Sequence, residues 1–98
     1  MSRLRNPARG EAVLHIDGRP LILCLTMGAL ARLEAAFEIR SLEALEARLA
    51  NLSGQDVLVI ISALLCGETL SPAELAKAQI HPAEAAEAIS KAFEGAGP

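Results

Sequence analysis

Residues 53–67 read S-G-Q-D-V-L-V-I-I-S-A-L-L-C-G, and how this stretch folds decides the rest of the chain. Ser53 followed three positions on by Asp56 resembles a capping box, in which side chain and backbone satisfy each other at a helix start. Gly67 stands where a left-handed helix terminator is usual. Between them Val57, Ile60, Ile61, Leu64 and Leu65 fall on one face at spacings of three and four, and Leu58 and Val59 widen it. A helix apolar around most of its circumference has to be covered on several sides. The β-branched content would also suit a buried strand over Val57–Gly67, but the start and stop signals decide for helix. The run is far short of the roughly 20 residues that cross a bilayer. It reads as a central core helix, and nothing in it is chemistry.

Upstream, Glu11–Thr26 has a different rhythm: E-A-V-L-H-I, then Asp17-Gly18, then R-P-L-I-L-C-L-T. Asp-Gly between two apolar runs signals a hairpin, because both central residues of a type I′ turn need positive φ. Setting Ile16 opposite Arg19 pairs Leu14 with Leu21 and Ala12 with Leu23. One face then carries Ala12, Leu14, Ile16, Leu21, Leu23 and Leu25, the other Val13, His15, Ile22 and Cys24. Both are largely apolar, and a two-stranded ribbon is marginal alone, so something else should cover the second face or an edge.

Four further helices are expected around the core helix. Thr26 caps Met27–Phe37, with Leu30, Leu33 and Phe37 as its stripe, and Ser41 caps Leu42–Leu49. Ser71-Pro72-Ala73-Glu74 is a full capping box with proline at the first helical position. It starts a short helix ending near Ala78 that buries Leu75. His81-Pro82-Ala83-Glu84 repeats the pattern for a last helix ending near Phe93, with Ala85, Ala86, Ile89 and Phe93 inward and a Glu87–Lys91 pair outside. The fold class is therefore α+β, an N-terminal β-hairpin followed by four to five short helices around a central apolar one. Residues 1–10 read as a basic, mobile arm, 11–94 as one domain and 95–98 as a frayed end.

Composition narrows function mainly by exclusion. The chain has two phenylalanines and neither Trp nor Tyr, so it lacks the stacking platforms that single-strand readers use. Net charge is −3; Arg3, Arg5 and Arg9 place +3 in the first ten residues, leaving −6 on Glu11–Pro98. An acidic body argues against duplex DNA, whose binding rests on clustered Lys and Arg. A helix-turn-helix built from the core helix and the one after Ser71 would offer Lys77 as its cation, a poor phosphate holder. Cys24 and Cys66 have no C-x-x-C spacing and no secretory signal precedes them, so two reduced core thiols are expected. Together with His15 and His81 they invite a zinc reading, but no two of the four lie closer than nine positions, whereas zinc ligands come in close pairs. Ser41, Ser53 and Ser71 are accounted for as caps, and no nucleophile–base pattern or phosphate loop occurs. Neither an enzyme nor a bound cofactor is expected.

Several stretches together carry a resemblance: N-P-A-R-G-E at Asn6–Glu11, I-D-G-R at Ile16–Arg19, L-T-M-G-A-L-A-R-L-E at Leu25–Glu34, D-V-L-V-I-I-S-A-L-L-C-G at Asp56–Gly67 and S-P-A-E-L at Ser71–Leu75. In this order, over Asn6–Leu75, they resemble the small tail assembly chaperone-like proteins of gene transfer agents and related prophages in alphaproteobacteria. The resemblance implies a cytoplasmic, non-enzymatic assembly protein in the bacterial host cell, with no membrane contact. It would bind the tape-measure protein or a tail-tube subunit before the tube is built. The expected partner-binding residues are Val13, His15, Ile22 and Cys24 on the second hairpin face, with Arg3, Arg5 and Arg9 of the arm, and self-association stays open. The alternative is a small regulatory or antitoxin-like protein whose N-terminal arginines touch nucleic acid.

Overall fold

The computed structural model describes residues 11–96; the expected arm with Arg3, Arg5 and Arg9, and residues 97–98 of the expected frayed end, lie outside them. Strands β1 (Glu11–Ile16) and β2 (Arg19–Cys24) form the hairpin in the expected register, Ile16 opposite Arg19, Leu14 opposite Leu21 and Ala12 opposite Leu23. Asp17 and Gly18 both take positive φ, 54° and 80°, as a type I′ turn requires. Ala12, Leu14, Ile16 and Leu23 are buried on the inner face, while Leu21 and Leu25 are half-buried at its margin.

Helices α1 (Met27–Phe37) and α2 (Leu42–Leu49) begin at the expected caps, where the Thr26 hydroxyl accepts from the Ala29 N–H and Ser41 from Ala44. Helix α1 ends on Glu38 in the left-handed conformation. Helix α3 (Gly54–Leu64) has the complete Ser53–Asp56 capping box and buries Ile60, Ile61, Ala63 and Leu64. It is the central rod, touching α1, α4 and α5 as well as the sheet.

Here the structure departs from the sequence reading. The helix stops at Leu64, and Leu65–Cys66 forms a third strand, β3, on the free edge of β2, with Ile22 opposite Cys66 and Leu23 opposite Leu65. Gly67 is left-handed, φ 80°, but it ends a strand and not a helix. The unpaired edge of β2 is the physical reason, since its backbone groups take the next segment that passes. This is the cover that the hairpin called for, and the sheet order is β1-β2-β3.

The same pairing corrects the expectation of two reduced thiols. Ile22 and Cys66 face each other on the outer side of the sheet, and Cys24 lies two residues along β2 on that side. The two cysteines are thus diagonal neighbours, with Cα atoms 6.0 Å apart, and they form a disulfide. Their wide separation in sequence concealed a close one in space.

Helix α4 (Pro72–Ala76) carries the second complete capping box, on Ser71 and Glu74, and buries Leu75; it ends two residues before the expected Ala78. Helix α5 (Pro82–Ala96) runs past the expected Phe93 and packs along the inner side of the sheet, mainly on β1. Its buried positions are Ala85, Ala88, Ile89 and Ala92, with Phe93 half-buried. Ala86, expected inside, is exposed. An alanine-rich helix offers small side chains on every face, so contact with the sheet chooses the face and side-chain size does not.

Candidate functional site

The expected docking residues are brought only partly together. Val13 and Ile22 are directly opposed and half-buried on the outer sheet face, with Cys24 beside them, buried in its disulfide. His15 lies next to them opposite Pro20, but it is engaged within its own chain. Its Nδ1 lies 2.7 Å from Glu84 Oε2 and its backbone N–H donates to the same oxygen at 3.3 Å. One turn further along the strand edge, the Asp17 N–H donates to Gln79 O at 3.0 Å, and the Gln79 N–H returns a bond to Asp17 Oδ1 at 2.8 Å. These contacts fasten the hairpin turn to the segment between α4 and α5. Glu84 was expected in a capping box; instead the His81 ring accepts from the Ala83 N–H, and the Glu84 carboxylate crosses to β1. The hydrogen bond from His15 holds the Glu84 carboxyl below the usual carboxylate range.

A second cluster ties three helices at the start of α3. The Arg48 guanidinium of α2 donates two bonds to Asp56, at 3.2 and 3.0 Å, and sits 4.6 Å from the centroid of the Phe37 ring. Such stacking of a cation on an aromatic face is attractive. Arg48 first, then the Ser53 N–H, depresses the Asp56 carboxyl. At the other end of α3, Arg32 donates to Ala63 O at 2.8 Å, so α1 and α3 run antiparallel.

Beside this frame lie two apolar hollows. One, of about 490 Å³, is lined by Val57, Leu58 and Ile61 of α3, Leu75 and Ala76 of α4, and Ile80 before α5. The other, of about 470 Å³, lies between Leu49, Leu52, Val57, Ile89 and Phe93, with Ser90 and Glu94 at its side. Val57 borders both, so the two hollows lie on either side of it as a divided trough along the first half of α3, between α4 and the C-terminal half of α5. Sequence reasoning placed these side chains in the core. The available signal was an excess: Val57, Leu58 and Val59 spread apolar surface further round α3 than its neighbours cover.

Chemistry is sparse. The hydroxyls of Ser41, Ser53 and Ser71 accept from backbone N–H groups, Ser62 donates to Leu70 O, and Ser90 bonds Glu94. No group of three or more His, Cys, Asp or Glu among the described residues converges as a metal site. No described helix is long and apolar enough to cross a membrane. The arrangement can bind apolar surface and offers no converging reactive groups among the described residues.

A family model described as phage tail tube protein, GTA-gp10, matches residues 9–95. The chain belongs to that family. Membership makes it a tail-related protein of a phage or gene transfer agent, whose partners are tail proteins. No curated protein and no solved structure matches the chain.

Proposed function

We propose that this member of the GTA-gp10 family is a non-enzymatic assembly chaperone or adaptor that holds a helical segment of another tail protein, such as the tape-measure protein, before the tube is built. The trough across the first half of α3 carries the reading. It is apolar, open to solvent and bounded by helices, the form that takes an amphipathic helix by its apolar face. Among the described residues Met27 is the one large apolar side chain that stands exposed. A second reading, a subunit of the tube itself, is favoured by the family's description.

Co-expression with the tape-measure and tube proteins, followed by affinity purification, tests the first reading. Wild-type chain should carry the tape-measure protein with it. Ala76→Arg, at an exposed position lining the trough, should lose the partner and keep the thermal melt. Mass spectrometry of finished particles separates the two readings, since a tube subunit must be abundant there and a chaperone absent.

A further inference from the structure

Very little backbone change separates the end of α3 from a longer helix. Leu65 still donates its N–H to Ile61 O, the bond of a continuing helix, and its φ of −59° is helical. Its ψ alone, 129° where a helix needs about −40°, turns Cys66 aside onto β2. Gly67 already has the positive φ, 80°, of a helix terminator. With that one torsion turned back, the Cys66 N–H would face Ser62 O and the Gly67 N–H would face Ala63 O. Arg32 donates to Ala63 O at 2.8 Å, and a carbonyl oxygen has a second lone pair with which to accept. Leu65, four places after Ile61, stays on the apolar face of the rod in either arrangement.

Three contacts oppose the longer helix besides the disulfide. They are the two-residue ladder to β2, the bond from Ser62 Oγ to Leu70 O at 2.7 Å, and the Arg19–Glu68 pair at 2.9 Å. An exposed ion pair of that kind contributes little in water. The disulfide is the decisive tie, because it requires Cys66 to lie beside Cys24.

We infer that Leu65–Cys66 is a redox-controlled hinge: linked to Cys24 it lies on β2 as a strand, and with both thiols free it rejoins α3, which then runs to Gly67. Cys66 is half-buried and Cys24 buried, so a dithiol reductant enters at the Cys66 sulfur. Its first thiolate bonds that sulfur and releases Cys24 as a thiolate; its second displaces Cys66 from the mixed disulfide. Two electrons pass to the protein, each cysteine sulfur takes up a proton, and the reductant leaves as its own disulfide. Freed of the link, the segment gains two helical backbone bonds and a glycine terminator in exchange for a ladder of two residues. Reduction thus uncovers the outer margin of β2 at Ile22 and Leu23, and oxidation covers it again. The inference goes beyond the chaperone reading and does not depend on it.

NMR of the isotopically labelled full chain, oxidised and then with excess dithiol reductant, tests it. The oxidised chain should show extended Cα shifts at Leu65 and Cys66 and NOEs between Leu65 and Leu23. Reduction should move both shifts to the helical side and abolish those NOEs, while the NOEs between β1 and β2 persist. Cys24→Ala and Cys66→Ala, which cannot form the link, should each show the helical pattern with no reductant present. The reduced wild type carries no substitution and decides the matter even where a variant fails to fold. A reduced chain that keeps the extended shifts and the Leu23–Leu65 NOEs, one that loses the β1–β2 NOEs as well, or a folded variant that stays extended at Leu65 overturns the inference.

Discussion

The two halves of α3 are made of the same kinds of residue and live in different surroundings. From Ile60 to Leu64 every apolar side chain is buried, Ile61 at the floor of the first hollow; from Val57 to Val59 each is half-buried, and Val57 and Leu58 form open walls of the hollows. The second half is clamped by β3 and the disulfide, whereas the first is held by polar contacts, namely the capping box and Arg48. Hydrophobic residues in this rod thus meet two environments: one half is sealed inside the fold and the other leaves apolar surface open beside the hollows.

The most drastic way to break this contrast is a charge in the sealed half. Ile61→Asp should cost about 4 kcal/mol or more, enough to unfold much of a population whose total stability is about 5–15 kcal/mol. Val57→Ala in the open half should cost only about 1 kcal/mol. Chemical denaturation of the two variants gives the comparison directly, and equal losses would mean that the halves do not differ.

Reducing the disulfide is next in size. It closes a span of 42 residues, so chain entropy puts its contribution at about 2–4 kcal/mol. A melt repeated with a dithiol reductant, or of Cys66→Ser, should shift down accordingly, and no shift would show that β3 does not depend on the link. Ser53→Ala at the opposite end of α3 should cost about 1 kcal/mol, by leaving helix-start N–H groups without their acceptor.

The smallest effect is a pH dependence. Asp56 and Glu84 both have carboxyl groups held below the ordinary range, by Arg48 and His15 respectively. Such groups add stability that is complete above the unfolded-chain carboxylate value of about 4 and disappears as pH falls through the lower folded value. Stability should therefore drop on acidification below about pH 4. Glu84→Gln should blunt the drop, which denaturation midpoints across that range would reveal.

What the sequence disclosed and what it withheld divide by distance. The hairpin register and turn, the caps at Thr26, Ser41, Ser53 and Ser71, and the sealed half of α3 all follow from residues within a few positions of one another. Asp17-Gly18 needs no distant partner to demand its turn. By contrast β3 exists because a strand edge more than forty residues earlier was unpaired, and periodicity continues the helix through Leu65 without notice of that edge. The disulfide and the His15–Glu84 contact depend on the same long-range assembly. The trough was present in the sequence only as apolar surplus on α3, and reading it as a hollow required knowing which neighbours were too small or too far to fill it.

The bonds that Glu84 and Gln79 make along β1 also set a rule for growth. With the His15 and Asp17 amides already occupied, an incoming extended segment finds no template along the turn end of that margin, and β3 gives a foothold of merely two residues at the opposite side. Amyloid-like stacking at that end of the sheet is thereby discouraged.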